Sequence, residues 1–263
     1  MIYIGWLAIM RNYLNNKRGV KMSYIDINSG QVIAYADGDT RQRFIRKTYI
    51  HLALAIALFA LLEWVMVSMG WHIKAMAMLS AIGQWGWLGV LFVFGFASSL
   101  MHRWAANSIA LEKQYMAWAG GVLLEALIFL PMIGIALMFS ERAGDTNILQ
   151  QASIVTIALV VGLTAVVFTT GKDFSFLRPM LTIGFFVAVG LIVLATLFGF
   201  TLGLLFSGGM VIFAAAAILY ETSQIQHHYH ESQYVGASLS LFSAVGMLFW
   251  YVLQFMLSFA GND

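Results

Sequence analysis

The feature that constrains this chain most is an uncharged run between Arg178 and Glu221, in which no Asp, Glu, Lys, Arg or His occurs. A helix crosses the hydrocarbon core of a membrane with about 20 apolar residues. The run is about twice that length, so it fits two spans joined by a tight turn far better than it fits one. Gly199 lies near its middle, and the sequence therefore predicts a helical hairpin that turns near this residue.

Apolar stretches of similar length on either side of this run bring the predicted total to seven. The predicted spans cover about 49 to 70, 84 to 101, 115 to 139, 150 to 171, 179 to 198, 201 to 221 and 235 to 259. Hydrophobic residues make up 61% of the chain and charged residues 10%, so lipid must solvate most of its surface. The runs are continuously apolar, whereas the strands of a transmembrane barrel alternate. The predicted fold class is an all-α integral membrane protein, a bundle of seven transmembrane helices.

The uneven distribution of Lys and Arg predicts the orientation of the bundle, because positively charged loops are retained in the cytoplasm. Most of the basic residues lie before the first span and in the loops that follow the second and fourth spans. The loops on the opposite side hold only Lys74 and Arg142. Seven spans therefore place the N-terminus in the cytoplasm and the C-terminus outside.

The N-terminal part of the chain differs in composition from the rest. Residues 1 to 46 are predicted to form a cytoplasmic tail, and residues 47 to 263 a seven-helix membrane domain. Between 23 and 46 the chain is rich in Gly, Asp, Ser and Arg without helical periodicity, so we expect this part to be loosely ordered in water. A basic, polar block precedes Met22, and we expect Met22 to be the natural start of the protein.

Composition also excludes several functional classes. The net charge is only +2 and the basic residues are not clustered with aromatic ones, so nucleic-acid binding is not expected. With no cysteine the chain has no thiolate nucleophile and no zinc site of the cysteine type. The predicted span interiors contain neither the His nor the Asp that hydrolysis inside the membrane requires. We find no internal repeat of the kind that small-solute transporters carry. The chain is predicted to be no enzyme and to use no cofactor.

Three glutamates are functional candidates, because an ionisable group inside a membrane is costly without a partner. Glu63 lies in the outer part of the first span and could reach the interface by extending along the helix. Glu125 lies well inside the third span, six residues before Pro131. Glu221 ends the sixth span, where a carboxylate could also be simply hydrated.

Two polar segments near the C-terminus have both a functional and a structural interpretation. The loop QHHYHESQY (226 to 234) could ligate a transition metal or titrate near neutral pH, although neighbouring loop histidines are more often solvated. The seventh span contains four polar residues that could hydrate a narrow path or form hydrogen bonds between helices. These residues are Ser238, Ser240, Ser243 and Gln254.

Two segments carry distinctive motifs. The first is TTGKDFSFLRPML at 169 to 181, and the second is ILYETSQI at 218 to 225 followed by YVGASLSLFSAVGMLFWYVL at 234 to 253. Both resemble the Bax inhibitor family. In that family a fourth helix runs into a loop of the form T-x-[KR]-D-[FM]-S-F-L, in which Asp173 takes the acidic position. A helix end of the form [LF]-[YF]-[DE]-T precedes a helix start of the form Y-x-x-A-x-S-L-[YF]. Span number and orientation extend the resemblance over residues 45 to 259.

The resemblance implies a seven-helix fold in which the last helix sits centrally among the other six. The segments YETS and SLSLFS are most similar to the bacterial YccA type, which implies a non-enzymatic inner-membrane regulator of the membrane AAA protease FtsH. The alternative that the family implies is a pH-sensitive calcium or proton leak governed by two acidic residues. Glu221 matches the first of these positions and Ala244 occupies the second, so the acidic pair is incomplete here. Glu221, Glu125, Asp173 and Ser243 are the candidate functional residues.

Overall fold

The computed structural model describes residues 32–107, 110–143 and 147–260, and seven long helices account for most of this part of the chain. They are α1 (Gly38–Ser68), α2 (Trp71–Asn107), α3 (Leu111–Ala143), α4 (Ile148–Thr170), α5 (Leu177–Phe198), α6 (Gly203–His227) and α7 (Tyr234–Ala260). Two short 3-10 helices, Ile33–Tyr35 and Glu231–Gln233, precede α1 and α7. All seven long helices are apolar enough and long enough to cross a membrane, which confirms the predicted all-α, seven-span fold.

The predicted hairpin forms where the uncharged run contains Gly199. This glycine ends α5 with a φ of 71°, and its backbone N–H donates to the carbonyl of Ala195 at 2.9 Å. Glycine adopts this left-handed conformation without the steric cost that a Cβ brings, so it is the usual residue at a helix end. α6 then begins at Gly203, and the two spans are joined by a short turn as predicted.

α7 lies at the centre of the bundle, where it packs against α1, α2, α3, α4 and α6. Leu239, Leu241, Leu248 and Leu253 of this helix are fully buried. Lipid can solvate an apolar helix as well as protein can, so the central position of α7 follows from its packing against these five helices and not from its composition. The expectation that the last helix is central is therefore confirmed.

The outer surface of the bundle is strongly apolar. α5 packs mainly against α6 and exposes Ile183, Phe186 and Phe198. Contiguous apolar surface of this kind is unstable in water, and lipid tails are its natural solvent. The chain is a multi-pass membrane protein.

The N-terminal end of the described chain is better ordered than its composition predicts. α1 begins at Gly38, with Asp37 as its N-cap and a Thr40 backbone N–H donated to the Asp37 carboxylate at 3.2 Å. Ile33 is fully buried. The loose order expected for 23 to 46 is therefore wrong for residues 32–46, because one apolar side chain and one helix cap hold this part in place. The expectation that Met22 is the start lies outside the described residues, and the division at residue 46 stays a prediction.

α2 is interrupted at Gly83, whose φ of 65° and ψ of −172° are not helical. The break separates α2a (71–82) from α2b (84–107), and α2b contains the predicted second span. Gly70, with a φ of 73°, lies at the other end of α2a. Just after the break, the side-chain amide of Gln84 donates to the carbonyl of Thr196, near the C-terminal end of α5, at 3.3 Å. Because helix ends meet there, the break lies near one face of the bundle and not at its midplane.

Candidate functional site

The candidate site lies on what we call the N-terminal face, the end of the bundle formed by residues 32–37, 171–176 and 228–233. Asp173 is in the loop between α4 and α5, which Gly171 begins with a φ of 58°. The carboxylate oxygen Oδ1 of Asp173 accepts from the backbone N–H of Ser175 at 2.9 Å and from its hydroxyl at 2.6 Å. It also accepts from the hydroxyl of Ser223, on α6, at 3.2 Å. Asp173 thereby shapes its own loop and attaches the loop to α6.

A second set of contacts strengthens the same attachment. The buried hydroxyl of Ser223 accepts from the backbone N–H of Phe174 at 2.8 Å. The side-chain amide of Gln224 donates to the hydroxyl of Ser175 at 2.9 Å. The loop is therefore bound to the last turns of α6 through both its backbone and its side chains.

His228 completes the cluster from the connection between α6 and α7. Its ring nitrogen Nε2 lies 3.1 Å from Oδ2 of Asp173 and 3.0 Å from the hydroxyl of Ser175. The Ser175 hydroxyl lowers the pKa of Asp173 most, and the backbone N–H of Ser175 and the His228 ring act in the same direction against a smaller effect of burial. The pKa of Asp173 is therefore well below its usual range, and the carboxylate remains ionised at neutral pH.

The residues next to His228 anchor residues 32–37, which we call the N-terminal segment. The backbone N–H of Ile33 donates to the carbonyl of Tyr229 at 2.9 Å, and Val32 forms an antiparallel bridge with His230. The ring of Tyr229 lies 6.5 Å from that of Phe44 on α1. Burial raises the pKa of the Tyr229 phenol above its usual range, so it stays neutral. The run 228–230 thus joins the Asp173 loop, the N-terminal segment and two helices.

The four predicted site residues fall into two groups. Asp173 and Glu221 are both at the N-terminal face, where Glu221 is half-buried near Tyr229. Glu125 and Ser243 meet deeper in the bundle, where the side chain of Ser243 is a hydrogen-bond partner of Glu125. A Cβ added at Gly246 would lie 3.3 Å from Oε2 of Glu125, so α3 and α7 approach closely at this carboxyl.

Several functional residues and contacts were not predicted. Ser175 and Ser223 lie within the two segments that carry the family resemblance, but the sequence did not indicate that they meet. His228 pairs with Asp173 although 46% of its side chain is exposed, and a ring nitrogen of His227 lies 2.9 Å from the carbonyl of Ser223; the sequence predicted neither contact. Within the described residues no group of three or more His, Cys, Asp or Glu could hold a metal ion.

Glu63 also differs from its expected environment. Only 6% of its surface is exposed, and neither carboxylate oxygen has a hydrogen-bond partner within the described chain. The interpretation that it extends to the membrane interface is therefore wrong, because α1 turns this side chain toward other helices.

Comparison with known proteins identifies relatives over nearly the whole membrane domain. The model of the family described as inhibitor of apoptosis-promoting Bax1 matches residues 41–261. An uncharacterised protein of Pseudomonas aeruginosa is 30% identical over 220 residues, which cover 83% of this chain and 90% of that protein. The Golgi anti-apoptotic protein of vaccinia virus is 25% identical over 239 residues, 88% of this chain and 92% of its own. The modulator of FtsH protease YccA of Escherichia coli is 36% identical over 116 residues, 41% of this chain and 52% of its own.

Proposed function

Because this chain belongs to the Bax inhibitor family, we propose that it is a non-enzymatic regulator of an FtsH-type membrane AAA protease in the bacterial inner membrane. The observation that carries the proposal is its similarity to the Escherichia coli protein that is named as a modulator of that protease. A regulator of this kind acts by docking, which needs a well-ordered surface and no catalytic group.

The N-terminal face supplies such a surface. Its two loops are attached to α6 through Asp173 and His228, and the N-terminal segment is attached through Ile33. We propose that this face is cytoplasmic and that the C-terminus lies outside, in accord with the distribution of Lys and Arg. The protease would then meet the Asp173 loop and the chain that precedes Val32 on the same side of the membrane.

Co-purification tests the proposal directly. The tagged full chain is crosslinked in native membranes and scored for an FtsH-type protease against an unrelated multispan protein. We expect specific recovery of the protease, and reduced recovery for Asp173→Ala but not for Glu141→Gln, which is exposed near the opposite face. Recovery no greater than that of the unrelated protein would refute the proposed partnership.

The role of residues 23 to 31 can be tested by a deletion that leaves the attachment of Ile33 intact. Removal of 23 to 31 leaves Ile33 and the Asp37 cap in place, whereas removal of 23 to 40 would destroy both. If the protease uses residues 23 to 31, the shorter deletion should alter proteolytic turnover in membranes. Equal turnover with and without residues 23 to 31 would show that these residues have no part in regulation.

The proposed orientation can be tested with single cysteines, because the natural chain contains none. Glu112→Cys lies at the start of α3 and Lys74→Cys in α2a, and both positions are exposed. A membrane-impermeant maleimide, added to spheroplasts that have lost the outer membrane but keep the inner membrane intact, should label Lys74→Cys alone. Labelling of Glu112→Cys alone would show that the orientation is the opposite of the one proposed.

A second candidate function is a pH-sensitive calcium or proton leak. Two carboxyls inside the bundle favour it: Glu221 in the last turns of α6, near the N-terminal face, and Glu125 deeper, beside Ser243. The position of the second family acid is occupied by the buried Ala244, so of the acidic pair that the family resemblance implies only Glu221 is present. In liposomes Glu221→Gln should abolish pH-dependent flux, and undiminished flux would remove Glu221 from the path.

A further inference from the structure

The carboxyl of Glu63 is a buried ionisable group that no part of the proposed function uses. It lies on α1, and it is 6% exposed with both oxygens unpartnered in the part of the chain that the structure describes. Phe59 and Met66 precede and follow it by about one turn on the same helix face. Met66 packs with Ala126 and Leu130 of α3, and the surroundings of Glu63 are therefore apolar.

A carboxylate anion in such surroundings would be strongly destabilised, because neither water nor a positive partner compensates its charge. A cation must therefore accompany it. Calcium takes six to eight oxygen ligands and magnesium six, and the described residues provide no cluster of even three acidic or histidine side chains that could hold a metal ion. The cation that a single, enclosed carboxyl can bind is a proton.

An open groove lies one helical turn beyond Glu63, at the face opposite the N-terminal face. It measures about 780 Å³, and Val67 of α1 lines it together with α2a and the outer end of α3. Three polar side chains are in the groove: His72, Ser80 and Glu141. The ring nitrogen Nδ1 of His72 is buried and unpartnered in the described structure, so polar groups continue from solvent into this end of the bundle.

α2a forms one wall of this groove. α2a lies between Gly70 and Gly83, both of which have positive φ, so glycines occupy both ends of this short helix. It packs on α3 where the sulfur of Met76 meets Gly134, and a methionine side chain adapts readily to a shift. A small displacement of α2a would connect the groove to Glu63.

We infer that Glu63 is a proton-binding site that exchanges with the compartment facing the groove under α2a. On α2a and on the part of α3 that follows Gly120, the charged and titratable groups are His72, Lys74, Glu125, Glu141 and Arg142. Glu125 faces Ser243 of α7, and His72 and Glu141 line the groove. Glu63 is thus the group that holds the proton in this half of the bundle.

Dicyclohexylcarbodiimide tests this inference on the full chain in proteoliposomes of one orientation. The reagent adds to a protonated carboxyl in an apolar site: the O–H proton moves to one carbodiimide nitrogen, the carboxyl oxygen bonds to the central carbon, and the acyl group then migrates to nitrogen. No group leaves, and the product is a stable N-acylurea that mass spectrometry locates.

We expect an adduct on Glu63 in the natural chain and its absence in Glu63→Gln, whereas Glu231→Gln, which removes an exposed carboxylate at the N-terminal face, should be labelled as the natural chain is. Labelling should fall about tenfold per pH unit once the carboxyl ionises, and it should follow the pH on the groove side. An unlabelled Glu63 in folded natural chain, or labelling that follows only the pH at the N-terminal face, would overturn the inference. Because no protease takes part in this measurement, its failure would leave the proposed function untouched.

Discussion

Replacement of Asp173 by asparagine is the perturbation whose effect the structure defines most closely. Asparagine preserves the shape of the side chain and can still accept from Ser175, but it removes the negative charge. The half-exposed contact with His228 contributes about 0–1 kcal/mol, and a hydrogen bond to a charged acceptor contributes somewhat more than one to a neutral acceptor. We therefore expect Asp173→Asn to lower the free energy of unfolding by about 1–2 kcal/mol at neutral pH.

The pH dependence of this loss gives the sharper test. Because the folded-state pKa of Asp173 is lowered, its contribution to stability is present above the unfolded-state pKa of about 4 and is lost as the pH falls through the folded-state pKa. The natural chain should therefore lose its advantage over Asp173→Asn progressively below about pH 4.

Thermal unfolding in detergent, followed from neutral to acidic pH, measures both quantities. Each kcal/mol corresponds to about 2–4 °C in a chain of this size. Glu231→Gln, which removes an exposed carboxylate on the same face, serves as the matched control and should change the transition little. Equal stability of Asp173→Asn and the natural chain at neutral pH, or a difference that does not diminish in acid, would refute the role assigned to the Asp173 charge.

Four further substitutions, one of them a control, test the packing. Gly236→Ala places a Cβ 2.8 Å from the backbone oxygen of Ala105 and should lower stability by about 1–3 kcal/mol, whereas Gly209→Ala, with open space around its Cβ, should have little effect on thermal unfolding. Ile33→Ala removes a fully buried side chain and should make the N-terminal segment more sensitive to limited proteolysis. Unchanged sensitivity would show that the backbone bonds alone hold the segment. Gly83→Ala forces a Cβ into the left-handed region at a cost of about 1 kcal/mol, and an unchanged melting temperature would argue against the break in α2.

The position of the spans could be predicted because it depends on a local property. A run of apolar residues must be about long enough to cross the hydrocarbon core wherever it sits in the bundle. The same reasoning located the hairpin at Gly199, since an uncharged run too long for one helix needs a turn, and glycine is the residue that a helix end favours. The central position of α7 came from the family resemblance and not from its hydropathy.

The environments of the polar residues required the tertiary structure. Glu63 was expected at the interface because its depth along α1 allows that, but the rotation of α1 turns it into the core. Ile33 was counted in a loose tail, although one buried isoleucine and a backbone bond to Tyr229 hold it in place. Neither outcome can be read from one helix, because both depend on which neighbour covers a given face.

The sequence by itself determined that the chain crosses the membrane seven times as helices, because apolar length and the need to satisfy backbone hydrogen bonds leave lipid-embedded segments no other structure. Only the tertiary structure decided which polar groups meet. Asp173 and His228 are far apart in the chain and come together because α5 and α6 return the chain to the same face. A hydrogen bond requires its two groups to be within about 3 Å, and that distance is set by the packing of helices rather than by the composition of any one of them.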